Sequence, residues 1–282
     1  MFKYGKNWAT FKLLGQRKRQ CDMVRVVEDF GSQRGTLLYV ADGHGYDGKK
    51  ASHLVYKKLP RYLSRVGFDP GAERHAVRKV CHKLDVEIKR FCEGGTTLTL
   101  AFLSNNSSFV AWVGDSEAFR VNRNGFESLV APHDFERKDE VHRLNSSNAD
   151  LQYSKRSFMH PLRSPIRVIC PQGRHKLNIT RSLGDKSFDL AHHAVFGKSF
   201  PDLLPPEPEF RDIDLDGMSW LMIASDGVVN TLNETITHSS EYNFFYRDQS
   251  LGPSEAAERF RNLVQSKIPY DNSSVVLVRP HC

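Results

Sequence analysis

Cysteine is scarce and scattered. The 282-residue chain carries five, Cys21, Cys81, Cys92, Cys170 and Cys282, with no Cys-x-x-Cys pair among them. An odd, widely spaced set argues against a disulfide framework and against a structural zinc site. Long apolar runs are missing too: nothing approaches the roughly 18 consecutive apolar residues of a membrane span, and the first residues, Met-Phe-Lys-Tyr-Gly-Lys, lack the apolar stretch of a secretory signal. No internal repeat, heptad or low-complexity tract is present. The expectation is a soluble protein with no membrane partner, in a reducing compartment, the cytoplasm, with the nucleus as the alternative. The Asn-x-Ser/Thr sequons at Asn106, Asn178 and Asn272 carry no weight in such a setting.

What is present is globular. Hydrophobic residues make up 39% and charged residues 26% of the chain, enough apolar material for a sizeable core. Forty Lys and Arg against thirty-three Asp and Glu leave a net charge of +7, which favours anionic partners such as phosphates or acidic proteins. Nucleic acid is the less suitable anion, because no recognition helix, zinc spacing or aromatic-basic motif accompanies the charge.

Periodicity predicts a buried strand over Gly35–Ala41, amphipathic helices over Lys49–Val66 and Pro70–Phe91, and strands over Thr97–Leu103, Ser108–Val113 and Ala118–Val121. Further strands are expected at Trp220–Ala224 and Ser274–Val278, with a helix over Ser254–Val264 between them. Asp134–Leu144 is helix-compatible, whereas Asn145–Asn178 and Lys186–Pro208 read as loop-rich or irregular. Strands and helices come in blocks without strict alternation, so the predicted class is an antiparallel α+β fold in a single domain, 1–282.

Four aspartates stand at the ends of apolar strands: Asp42 in Val-Ala-Asp-Gly, Asp115 in Val-Gly-Asp-Ser, Asp226 in Ala-Ser-Asp-Gly and Asp271 in Tyr-Asp-Asn. Carboxylates at the rim of a core are destabilising unless water, hydrogen bonds or cations compensate, and hard divalent cations take such oxygen ligands. Asp-Gly and Asp-Asn are also ordinary turn formers, so these residues alone leave both readings open.

The order of short motifs is more specific. Val40-Ala41-Asp42-Gly43-His44-Gly45, Gly95-Thr96-Thr97, Val113-Gly114-Asp115-Ser116, Arg181-Ser182-Leu183-Gly184-Asp185, Ala224-Ser225-Asp226-Gly227 and Asp271-Asn272 follow one another with plausible separations. In this the chain resembles the metal-dependent type 2C serine/threonine protein phosphatases, from about Gly15 to Val278. The resemblance implies two antiparallel β-sheets packed as a central sandwich, with helix pairs on both outer faces and a two-metal cleft at one end. It implies that Asp42 bridges two Mn2+ or Mg2+ ions, that Gly43 offers its carbonyl, and that Asp226 and Asp271 complete the first metal site. It also implies that Arg17 binds substrate phosphate, although Arg17-Lys18-Arg19 also reads as a basic surface run or nuclear signal. His44 matches the family's proposed general acid. The implied partners are phosphoprotein substrates, acted on by a monomer.

Three positions depart from the family pattern. Cys21-Asp22 stands where a Glu-Asp pair is common, leaving Asp22 as the carboxylate available to the second metal. Asn230 replaces an Asp that elsewhere pairs with the Asp115 equivalent around a third metal, and Pro132-His133 replaces an Asp-His pair. Two expectations follow: a working phosphatase that uses metal-activated water, or a pseudophosphatase that binds phosphoproteins or a regulatory partner and turns over little.

Overall fold

Strand β4 shows why the chain forms layers. Leu37, Tyr39 and Ala41 point to one face and Leu38 and Val40 to the other, and all five are fully buried, so both faces of the strand need a cover. The computed structural model describes residues 2–147, 149–153, 166–169, 176–196, 202–214, 220–232, 242–248 and 250–280. The N-terminal part holds β1 (Phe2–Tyr4), β2 (Trp8–Leu13), β3 (Met23–Phe30), β4 (Gly35–Ala41), β5 (Gly43–His44), α1 (Gly48–Val66) and α2 (Glu73–Phe91). The middle holds β6 (Gly95–Thr96), β7 (Leu98–Leu103), β8 (Ser108–Val113), β9 (Glu117–Asn122), β10 (Gly125–Ser128), α3 (Lys138–Ser146), β11 (Asp150–Tyr153), β12 (Ile166–Ile169), β13 (Lys176–Leu177) and β14 (Leu183–Gly184). The remainder is α4 (Lys186–Phe196), β15 (Glu209–Asp212), β16 (Trp220–Ala224), α5 (Asp226–Leu232), α6 (Phe244–Arg247), α7 (Pro253–Ser266) and β17 (Ser273–Val278).

Two antiparallel sheets form the sandwich, one in the order β1-β2-β17-β16-β9-β10 and the other β15-β8-β7-β4-β3. Leu38, Val40, Val110, Trp112, Leu221, Ile223 and Val276 fill the space between them. Outside the five-stranded sheet, α1 and α2 lay Val55, Leu59, Leu63, Val80 and Leu84 on Tyr39, Leu100 and Phe102. Outside the six-stranded sheet, α5 and α7 lay Val228, Leu232, Phe260 and Val264 on Phe11, Met222 and Val275. The expected α+β sandwich with helices on both outer faces is thus the architecture observed.

Two stretches differ from expectation. Residues 145–178 contain β11, β12 and β13, which form a small antiparallel sheet too short to leave a periodic signature. Lys186–Phe196, expected to be irregular, is the helix α4. Its buried face joins Phe188 and Ala191 to Asp189 and His192, and two polar residues interrupt the apolar stripe that would have signalled it. Asp189 meets Lys89 of α2 at 2.7 Å, and His192 Nε2 donates to the Ser147 carbonyl at 2.6 Å. His192 is therefore a buried anchor of α4. Cys21, Cys81 and Cys92 carry free thiols, while Cys170 and Cys282 lie outside the described residues. Among the described residues no helix is long and apolar enough to cross a membrane.

Phe260 is fully buried at the centre of the α7 layer, with ring contacts to Phe11, Phe126, Tyr242 and Phe245. Phe260→Ala is expected to lower the free energy of unfolding by about 3–5 kcal/mol, as measured by urea denaturation.

Candidate active site

Sheet register brings the aspartates together. Val40 pairs with Thr99 and Leu98 with Val113, so the end of β4, the start of β7 and the end of β8 lie side by side. In the other sheet Ala224 pairs with both Val275 and Glu117, which sets the end of β16 beside the start of β17. Asp42, Asp115, Asp226 and Asp271 leave these ends at one rim of the sandwich and line a cleft of about 250 Å3 together with Arg17, Cys21 and His44.

Backbone close approach shapes the rim. A side chain at Gly43 would overlap the Gly48 carbonyl at the start of α1, and one at Gly15, held at φ 63°, would overlap the Asp271 carbonyl. The Asp42 turn is tied to the junction of β6 and β7: its N–H donates to Thr97 Oγ1 at 3.1 Å, and its carbonyl accepts from the Thr97 N–H at 2.8 Å and from Thr96 Oγ1 at 2.9 Å. Asn272 staples the N-terminal segment to the same rim, accepting from the Cys21 N–H at 2.7 Å and donating to the Leu14 carbonyl at 2.9 Å.

Five carboxylates crowd this space, and their electrostatics show it. Burial, followed by the charges of Asp22, Asp226, Asp115 and Asp271, pushes the Asp42 carboxyl well above its ordinary range. Asp22 lies behind the cleft, fully buried, and burial pushes it up to about 6 against the pull of Ser274, Ser225 and Asp42. Its Oδ2 accepts from Ser225 Oγ at 2.9 Å, while Oδ1 finds no hydrogen-bond donor among the described residues. A buried carboxylate oxygen without a donor, beside four further carboxylates, is a set of hard oxygen ligands that fits Mg2+ or Mn2+.

The basic residues are held as firmly. Arg17 forks onto Asp271, with Nε to Oδ1 at 2.8 Å and Nη2 to Oδ2 at 2.5 Å, and its guanidinium lies 5.1 Å over the Tyr270 ring. Arg17 therefore serves as the counter-cation of Asp271 at the cleft mouth. His44 Nε2 lies 2.7 Å from Asp185 Oδ2, which also accepts from Ser182 Oγ at 2.6 Å. Although burial opposes it, the Asp185 carboxylate raises the His44 pKa. Asp185 received no role from the sequence, despite lying in one of its most specific motifs.

The divergent positions are also placed. Cys21 faces the cleft, and burial, aided by the charge of Asp22, pushes its thiol up, so it is a neutral and soft group among hard ligands. Asn230 Nδ2 donates to Asp226 Oδ2 at 3.2 Å, orienting that carboxylate without adding charge.

His133 acts behind the Asp115 turn. Its Nδ1 accepts from the Gly114 N–H at 3.1 Å, and its own N–H donates to the Gly114 carbonyl at 2.9 Å. Its Nε2 lies 3.4 Å from Glu209 Oε1. His133, Glu140 and Glu209 bring ligand atoms within 4.8 Å of one another, but arginines already neutralise both carboxylates. Arg181 bonds Glu140 at 2.5 Å and Glu209 at 3.1 Å, Arg143 bonds Glu140 at 3.0 Å, and Arg137 bonds Glu209 at 2.8 Å. This is an ion-pair network that joins the Asp115 turn to the Arg181–Asp185 segment behind His44.

The family model described as "Protein phosphatase 2C" matches residues 15–265. Among individual relatives, the chain is 28% identical to "Protein phosphatase 1K, mitochondrial" of Xenopus laevis over 94% of this chain and 65% of that protein. It is 25% identical to "Probable protein phosphatase 2C 7" of Oryza sativa subsp. japonica over 86% of this chain and 57% of that protein. It thus spans less than two thirds of the length of these relatives. Its fold is similar to a structure titled a C. elegans sex determining protein (TM-score 0.75, 22% identity, 98% of this chain and 65% of that one). A phosphatase from a pathogenic strain of Toxoplasma gondii is also similar (TM-score 0.74, 18% identity, 97% and 92%).

Partial burial opposes ionisation of Glu209, yet the facing His133 ring and hydrogen bonds from Arg137 hold its carboxyl down to about 2. A depressed carboxyl stabilises the fold above its unfolded-state pKa, and that stability is lost as the pH falls toward 2. Glu209→Gln is expected to lower stability at pH 7 by about 1–2 kcal/mol after allowance for solvent screening. The difference from wild type should shrink when urea denaturation is repeated at pH 3.

Proposed function

This chain belongs to the protein phosphatase 2C family, whose members are metal-dependent protein phosphatases, and on that footing we propose that it hydrolyses phosphoserine and phosphothreonine in proteins. The observation that carries this reading is the convergence of Asp42, Asp115, Asp226 and Asp271 on one cleft, with Asp22 buried behind them. Asp42, the Gly43 carbonyl, Asp226 and Asp271 would hold one ion, and Asp42 with Asp22 a second. Two bound Mn2+ or Mg2+ ions would supply an activated water and neutralise the phosphoryl oxygens.

The chain's own groups would do the rest. Arg17 pairs with a carboxylate as a bidentate fork, and the same planar geometry suits two phosphoryl oxygens. Exchanging Asp271 for substrate phosphate would carry Arg17 from one anion to the other within the cleft. Asp185 and Ser182 hold the His44 ring in place, and His44 would donate a proton to the departing seryl or threonyl oxygen.

A second reading, a weakly active or inactive phosphoprotein-binding member, draws on Cys21 and Asn230. One brings a neutral thiol and the other an amide to a place that needs negative charge.

Phosphate release from a phosphothreonine peptide, measured with Mn2+, Mg2+ or EDTA, separates the two. Metal-dependent release that disappears in Asp42→Ala and Asp226→Ala and rises in Cys21→Glu is expected for the enzyme. No release by wild type, with activity gained by the Cys21→Glu, Asn230→Asp double variant, would establish the second reading. His44→Ala is expected to lower kcat about 100-fold on the phosphothreonine peptide but far less on p-nitrophenyl phosphate, whose acidic leaving group needs no proton.

A further inference from the structure

A second cavity, of about 570 Å3, lies apart from the acidic cleft. Gln20 and Met23 line it, whereas Cys21, between them in sequence, faces the cleft, so the chain segment linking β2 to β3 divides the two spaces. The lining of this cavity is opposite in charge to that of the cleft. Lys3 of β1, Lys12 of β2, and Lys49 and His53 of α1 stand around an apolar surface made by Leu14, Met23, Val24 and Tyr56. Among the described residues no Asp or Glu side chain lines it.

Three features give this lining a ligand chemistry. Cations from three separate elements are gathered without a lining carboxylate, and such an arrangement draws an anion. Their proximity is evident at His53, whose pKa is lowered by burial and then by Lys57, Lys49 and Lys12. Next, the wall is apolar and partly open: Leu14 is 46% exposed at the lip, beside Met23 and Val24. Finally, the His53 and Tyr56 rings line the cavity with centroids 5.9 Å apart and planes 6° from parallel, and the Arg25 guanidinium lies 5.0 Å over the Tyr56 ring. The volume falls within the roughly 300–1,000 Å3 of small-molecule sites and the shape is concave, so a compact solute fits it better than a macromolecular surface does.

We propose that this cavity is a non-catalytic binding site for a small aromatic anion, a ring-bearing sulfonate, phosphate or carboxylate. Its charged head meets Lys3, Lys12 and Lys49, and its ring lies on Leu14, Met23 and the His53–Tyr56 pair. Lys12 is already positioned for the task, since its Nζ is fixed at 2.9 Å from the Asp22 carbonyl. This site requires no turnover in the neighbouring cleft, and it stands or falls independently of the phosphatase reading.

The full chain titrated with the fluorescent probe 8-anilinonaphthalene-1-sulfonate tests the proposal. Expected is saturable binding at one site, weakened about tenfold by Lys49→Glu and by Lys3→Glu with His53→Glu, and weakened by added salt. Lys49→Glu puts an acidic residue in the first turn of α1, where the helix dipole favours it, so loss of binding there would not reflect a damaged fold. The uncharged N-phenyl-1-naphthylamine should bind at least about tenfold more weakly than the sulfonate. Equal binding of the two probes, or unchanged affinity in the lysine variants, would overturn the proposal. So would loss of binding in Arg17→Ala alone, which would place the sulfonate in the acidic cleft.

Discussion

Carboxylate repulsion at one rim of the sandwich is the constraint around which the rest of the site is built. Five aspartates are drawn together by strand register, and desolvation makes each further negative charge harder to hold. The surrounding structure answers with donors and cations: Ser225 on Asp22, Asn230 on Asp226 and Arg17 on Asp271. A fold would not keep such a cluster for stability alone, because apolar residues would fill the same rim without the electrostatic penalty. Such a set of oxygen donors is of the kind that hard divalent cations take as ligands.

The same constraint gives the divergent residues their meaning. A thiol at Cys21 and an amide at Asn230 relieve repulsion and at the same time reduce the charge available to hold cations. The bidentate pairing of Arg17 with Asp271 works in the same direction. These three features lower the net negative charge of a cleft that keeps Asp42, Asp115, Asp226 and Asp271.

Rigidity is supplied from behind. His133 clasps both backbone groups of Gly114, next to Asp115, and its far side faces a network of three arginines and two glutamates. The network ends at Arg181, a few residues before the Asp185 that holds His44. Two sides of the cleft thus share one polar support, whose glutamates the arginines neutralise.

Much of this was legible in the linear chain, because local patterns report local needs. A continuous apolar, β-branched and aromatic run marked β4, helical spacing marked α1, α2 and α7, and Asp-Gly and Asp-Asn turns marked the aspartates. The order of those turns carried the family resemblance. Helix α4 was hidden because Asp189 and His192 occupy its buried face, and the β11–β13 sheet because its strands are only two to four residues long. Contacts between distant segments leave no periodic trace, so the pairing of Arg17 with Asp271 across 254 positions, the burial of Asp22 against Ser225 and the basic cavity between β1, β2 and α1 could not be read in advance. By itself the sequence determined which residues could bear chemistry and in what fold. Only the tertiary structure decided which of them meet, since sheet register and desolvation are properties of the packed chain and of no segment within it.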